Sequence, residues 1–133
     1  MTTAYYTHND CRLHDMGAGH PECPQRLDAI EDHLLATGLD IALDRRDAPL
    51  AQISDLKLAH SEHYILELDE VLTHLADTND RHYFDPDTVG CPATRQAMLR
   101  AAGTAIAATD AVIDGSARNA FCAIRPPGHH CTR

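Results

Sequence analysis

The chain has 133 residues, enough for one domain or for part of a larger one. Its formal charge of -9 and pI near 5.4 exclude the basic footprint of a nucleic-acid binder and disfavour an anionic membrane surface. A 44% hydrophobic and 23% charged composition is ordinary for a soluble globular chain, and no apolar run reaches transmembrane length.

Ala4 to Thr7 reads as a short first strand, followed by a polar loop from Asn9 to Cys23 rich in His, Gly and Asp. Pro24 suits the first turn of a helix, on which Leu27, Ile30, Leu34 and Leu35 share a face before Gly38 stops it. Ile41 and Leu43 alternate with other residues and predict a second short strand. Gln52 to Ala59 predicts a brief helical turn. Ser61 caps a helix that buries Ile65, Leu68, Leu72 and Leu75. Asp77 to Gly90 reads as a loop containing an Asp85-Pro86-Asp87-Thr88 turn. The longest helix is expected from about Pro92 to Asp114, stopped by Gly115, with Ala97, Ala101, Ala105, Ala108 and Val112 as a small face for packing on a sheet. The apolar run Ala120–Ile124 is the last strand. Strands alternating with helices predict an α/β fold with a parallel sheet, its first and last strands in one sheet and the long helix on its face.

Chemistry concentrates in two places. The apolar strand Ala120–Ile124 feeds Arg125-Pro126-Pro127-Gly128-His129-His130, a stiff turn in which Gly128 gives freedom to reach positive φ and two imidazoles follow in tandem. Paired histidines supply a base and an acid, or a base and an electrostatic partner, near neutral pH. The plain alternative is a surface turn with two solvated imidazoles. The second place is His20-Pro21-Glu22-Cys23-Pro24-Gln25-Arg26-Leu27. An arginine in the first turn of a buried helix stays charged and needs an anionic partner or water; the competing reading is an arginine that extends to solvent.

Other candidates are weaker. Cys11, His14, His20 and Cys23 are zinc-type ligands, but the pairs mix Cys with His and only five residues separate them. Asp85 and Asp87 are possible paired carboxylates, with a polar turn the safer reading. Cys11, Cys23, Cys91, Cys122 and Cys131 form an odd set with no Cys-x-x-Cys, which fits reduced thiols better than a disulfide framework. The amino terminus shows no signal-peptide pattern, so a cytoplasmic protein is expected.

Four motifs in order carry a family resemblance: His20-Pro21-Glu22-x-Pro24-x-Arg26, Ala59-His60-Ser61, Cys91-Pro92-Ala93-Thr94 and Arg125-Pro126-Pro127-Gly128-His129-His130. The chain resembles the amino-terminal part of the metal-dependent histone deacetylases, which include acetylpolyamine amidohydrolases and acetoin-utilisation proteins. The form of the last motif is similar to the class II and bacterial amidohydrolase branches. The resemblance implies an arginase/deacetylase-type fold, of which residues 1–133 are the amino-terminal part. It implies zinc-dependent hydrolysis of an N-acetyl amide, on acetyl-lysine or on an acetylated polyamine or small amine.

By the same resemblance, His130 is the general base and then the acid toward the leaving amine. His129 is the neighbouring imidazole that stabilises developing charge, and Arg26 lines an internal cavity near the departing acetate. The family's zinc ligands and transition-state Tyr lie downstream of the histidine pair, so this chain supplies none and alone is expected to be inactive. Some relatives place an Asp directly before Cys-Pro-Ala-Thr to grip substrate at the rim. Here that position is Gly90, with Asp87 as the possible substitute. A non-enzymatic alternative is an assembly module that pairs with a complementary half or partner. The apolar last strand is expected to be interior in the complete domain and, when uncovered, to promote self-association.

Overall fold

A computed structural model of the chain describes residues 2–129 and 131. The elements in order are β1 (Thr3–Thr7), α1 (Asp10–Leu13), α2 (Gln25–Thr37), a 3-10 turn (Leu39–Ala42), β2 (Leu43–Asp47), α3 (Ile53–Leu56), α4 (Glu62–Ala76), β3 (His82–Asp85), β4 (Thr88–Gly90), α5 (Thr94–Ile113) and β5 (Asn119–Ala123). The main sheet has the order β2-β1-β5 and is parallel throughout. Tyr5 pairs with Arg45 on one side and with Phe121 on the other. The first and last predicted strands are therefore neighbours, as the alternating pattern implies.

Period-2 alternation in β1 sends its side chains to two different helices. Ala4 and Tyr6 pack with Ala108, Ala111 and Ala117 on the α5 face, joined by Ala107, Ala120 and Cys122. Tyr5 turns to the opposite face with Cys11, Leu27 and Ala123, where Ile30, Leu34 and Leu43 close over them. The result is a sheet flanked by α2 on one side and α5 on the other. The chain leaves β1 through α2 to reach β2, then returns past β1 through α5 to reach β5. Right-handed crossovers in opposite directions require helices on opposite faces, and this is the observed arrangement.

Local signals set the helix ends. Gly38 takes φ 72° and its amide donates to the Leu35 carbonyl, ending α2 in a left-handed cap that costs glycine little. Ser61 Oγ accepts from the Tyr64 amide and starts α4. The close approach of α5 to residues 49–51 needs Gly103, because a Cβ there would collide with the Pro49 carbonyl oxygen and the Ala51 amide. The Ala51 amide donates to the Leu99 carbonyl at 2.9 Å, a bond that this approach makes possible.

Five expectations are corrected; the first is the polar loop from Asn9 to Cys23, which opens with the short helix α1. Ile41 lies in the 3-10 turn and is exposed; the second strand begins at Leu43 and carries Asp44, Arg45 and Arg46. The segment expected as a loop from Asp77 to Gly90 contains an antiparallel hairpin, β3–β4, turned by Pro86 and Asp87. The inward stripe of α5 is Ala97, Thr104, Ala108 and Ala111, while Ala105 and Val112 face solvent. Gly128 does not take positive φ. No helix among the described residues is long and apolar enough to cross a membrane.

Candidate active site

Parallel strands place all their carboxyl ends on one side, so the segments after β1 and β5 emerge together. The strand order also reverses here: the chain moves from β1 outward to β2 and later to β5 on the far side of β1. In open α/β sheets, the crevice outside such a switch point is where ligands bind. The segment after β1 contains His20-Pro21-Glu22, and the segment after β5 contains Arg125 through His130. The two motifs singled out in the sequence thus meet at one place.

Their junction is Arg125, which is 0% exposed. Its Nε donates to Glu22 Oε1 at 2.8 Å and its Nη2 to Glu22 Oε2 at 2.7 Å, a bidentate fork. Its Nη1 donates to the Cys11 carbonyl at 2.7 Å and also to the His14 carbonyl. A permanently charged guanidinium is tolerated there because an anion and two backbone oxygens replace its water.

Beside this pair lies a second buried cluster. His14 Nδ1 meets Thr94 Oγ1 at 2.8 Å, and Thr94 Oγ1 accepts from the Cys91 amide at 2.7 Å. The Asp15 amide donates to Cys91 Sγ at 3.3 Å. Burial opposes ionisation of Cys91, but hydrogen bonds from His14, Thr94 and the backbone outweigh it and draw the thiol down to about 6. His14 Nε2 is buried without a hydrogen-bond partner and lies 4.0 Å from Glu22 Oε2, so this cluster adjoins the Arg125–Glu22 pair.

Arg26 behaves differently from Arg125. Its side chain is half-exposed, its Nη2 donates to the Ile124 carbonyl at 2.6 Å, and it stands 4.0 Å from Glu22 Oε1. It borders an open groove of about 730 Å³ lined also by Tyr5, Ile30, Leu34, Leu43 and Phe121. Both oxygens of Glu22, the carboxylate near Arg26, accept from Arg125, and Arg26 stays half in solvent, as the reading of an arginine that extends to solvent has it. Charge placement in the sequence holds the missed signal: each motif carries a residue of opposite sign, Glu22 between prolines and Arg125 directly after an apolar strand.

The hairpin brings Asp87 toward the same region. Asp85 Oδ1 accepts from the Asp87 amide at 2.7 Å and its Oδ2 accepts from Thr88 Oγ1 at 2.7 Å, so Asp85 organises the turn. The Asp87 carbonyl meets His20 Nε2 at 3.1 Å. Gly90 is buried, and a Cβ there would press on Leu75 and Phe84 side-chain atoms, each 3.2 Å away. An aspartate at position 90 would therefore enter apolar surroundings, whereas Asp87 is exposed at the hairpin turn. His129 is exposed at the end of the segment after β5; His130 lies outside the described residues. Among the described residues, no three His, Cys, Asp or Glu side chains gather as a metal site, so Cys11, His14, His20 and Cys23 do not form the zinc knuckle that their spacing allows.

Comparison with known proteins decides the ancestry of this arrangement. A family profile for the histone deacetylase domain matches residues 20–133. The chain belongs to the histone deacetylase family. It is 38% identical over 114 residues to the histone deacetylase-like amidohydrolase of Pseudomonas aeruginosa, covering 86% of this chain and 29% of that protein. It is 37% identical over 145 residues to the polyamine deacetylase HDAC10 of Rattus norvegicus, covering all of this chain and 24% of that protein. The crystal structure of the HDA15 HD domain superposes with a TM-score of 0.86 at 27% identity, over 98% of this chain and 36% of that one. The chain thus spans between 24% and 36% of the length of these three proteins, and the α/β fold with its parallel sheet is that of a deacetylase domain.

Proposed function

We propose that residues 1–133 are the amino-terminal part of a deacetylase domain whose complete form hydrolyses an N-acetyl amide, on acetyl-lysine or on an acetylated polyamine or small amine. The observation that carries this reading is the meeting of the His20-Pro21-Glu22 and Arg125–His130 segments at the carboxyl edge of the sheet, tied by the Arg125–Glu22 fork. Similarity to a protein named polyamine deacetylase supports the substrate class.

In this reading His130 accepts a proton from the attacking water and delivers it to the departing amine nitrogen, while His129 stabilises the charge that develops between. Arg26 serves the acetate side and Asp87 the rim. Zinc bound in the complete domain supplies Lewis acidity. By the family resemblance, the residues that would hold this zinc lie downstream of the histidine pair in a complete domain. The thiols Cys11, Cys23, Cys91, Cys122 and Cys131 are all free, which supports a cytoplasmic setting.

The non-enzymatic reading, an assembly module, is favoured by one feature: β5 is an outer strand with Phe121 exposed beside its free edge. Turnover separates the two. The complete domain should release acetate from acetyl-lysine peptides or acetylated polyamines, lose that activity to a chelator and regain it with zinc. Residues 1–133 alone should release none. A complete domain inactive on both substrate classes with zinc present contradicts the enzymatic reading.

A further inference from the structure

Arg125 and Glu22 have no assigned part in the chemistry, yet their arrangement is built with more care than stability requires. Four N–H groups of the guanidinium are committed to Glu22 and to the Cys11 and His14 carbonyls. A buried ion pair is a poor source of folding energy, because desolvation offsets its attraction and apolar residues of equal volume serve as well or better. Apolar residues cannot supply a directional tie between two backbone segments.

The tie spans the two segments that matter. On one side, Arg125 stands four positions before His129, which limits their separation to roughly 14 Å of chain. Pro126 and Pro127 follow, each with a fixed φ, so an anchor at Arg125 sets the course of the chain as far as Pro127, two residues before His129. On the other side, the Glu22 amide donates to His20 Nδ1 at 3.1 Å. That leaves His20 Nε2 to carry the proton and donate to the Asp87 carbonyl, 3.1 Å away. One set of contacts therefore runs from the hairpin tip through His20 and Glu22 to Arg125, and the chain leads from Arg125 into the histidine motif.

We propose that Glu22 and Arg125 are positioning residues for the histidine pair, holding the segment after β5 in register with the His20–Asp87 rim. The proposal rests on the assignment of His129 and His130 as the groups that move and stabilise protons. The fork makes the geometry specific: lysine at 125 keeps the charge but loses the planar two-point contact, and glutamine at 22 keeps the shape but loses the charge.

The test uses the complete domain with zinc, assayed on an acetyl-lysine peptide and an acetylated polyamine. Arg125→Lys and Glu22→Gln should each lower kcat at least tenfold while KM changes less than about threefold, since small misplacements of reacting groups act on the chemical step. The double variant should be no worse than the poorer single one, because both act through one contact. In substrate-free protein, ¹⁵N-histidine NMR should show the His129 and His130 ring signals displaced in both single variants. If those variants fail to fold, the apolar pair Glu22→Met/Arg125→Met replaces them and should fold, with kcat lowered and the same signals displaced. Folded variants with kcat within threefold of the parent, or with lowered kcat and unmoved histidine signals, overturn the proposal. A parent domain inactive on both substrates defeats the deacetylase reading itself, and the NMR comparison still decides whether the tie positions the histidines.

Discussion

The two outer strands of the sheet, β2 and β5, each pair with β1 over five residues, yet they meet their surroundings by different means. On β2, Arg45 reaches Glu31 at 2.9 Å and lies over the Tyr5 ring, 5.0 Å from its centroid. Arg46 pairs with Asp44 and reaches the Ser116 carbonyl. Charged side chains along an edge deter further strand pairing. β5 has the sequence Asn-Ala-Phe-Cys-Ala, with no charge at all, and its Phe121 is stacked on Tyr5 but 50% exposed. Its anchor is buried: Arg125, just past its carboxyl end. The charged edge is built to remain an edge. The apolar edge carries no such charges, and the segment with Arg125 follows from it.

The sharpest way to test the contrast is to remove one arginine from each side. Arg125→Ala leaves Glu22 without its partner in a mostly buried position and should cost about 3–5 kcal/mol in urea unfolding. Arg45→Ala removes a part-exposed pair and should cost less than about 1 kcal/mol. Equal losses would break the comparison.

pH separates the two sides next. The Cys91 thiol, ordinarily near 9, is drawn down to about 6 in the fold, as burial is outweighed by its hydrogen bonds. A depressed acid contributes stability that is full above the unfolded value, falls as pH drops from 9 toward 6, and is gone below that. Stability changes by about 1.4 kcal/mol for each pH step inside this window, so the whole fall is at most about 4 kcal/mol, and Cys91→Ala should abolish it. On the β2 side, Glu31 is held below its ordinary value chiefly by the Arg45 hydrogen bond, so its contribution is lost only on acidification below about pH 4.5. Unfolding midpoints measured from about pH 2 to about pH 10 should show two separate windows, the upper one missing in Cys91→Ala. An unaltered upper slope in that variant would show that the thiol does not set it.

The smallest effect concerns association. Phe121→Lys places on β5 the kind of charge that β2 already carries, so sedimentation of residues 1–133 should shift toward monomer with little change in unfolding midpoint. Identical sedimentation of parent and variant would mean that the β5 edge does not drive association.

Where side chains are sorted cleanly into apolar and polar, the sequence is readable. β1 and β5 follow from short, largely apolar runs, and α2 and α4 from helical spacing with Gly38 and Ser61 at their ends. β2 lies later than the sequence pattern suggests because it is filled by the ion-paired, partly exposed residues Asp44, Arg45 and Arg46, which carry no apolar period. The β3–β4 hairpin escapes the pattern because β3 is exposed on every side chain, so there is nothing for alternation to register. In α5, alanine and threonine differ too little in polarity to fix the inward direction, and the apparent stripe runs through Ala105 and Val112 rather than Thr104 and Ala111. At the site, both motifs are legible but the buried arginine and its partner are not. Helix position alone does not reveal that Arg125, 103 residues from Glu22 in sequence, takes the carboxylate.

The central claim is that the segment after β5 ends in the groups that move protons during amide hydrolysis. Its most direct test is turnover by the complete, zinc-loaded domain with His130→Ala, His129→Ala and both together. Loss of a proton-transfer group costs on the order of 10²–10⁴-fold, so His130→Ala should lose that much, His129→Ala less, and the double variant little more than His130→Ala because the pair acts on one transition state. Equal, small losses in both single variants would contradict it.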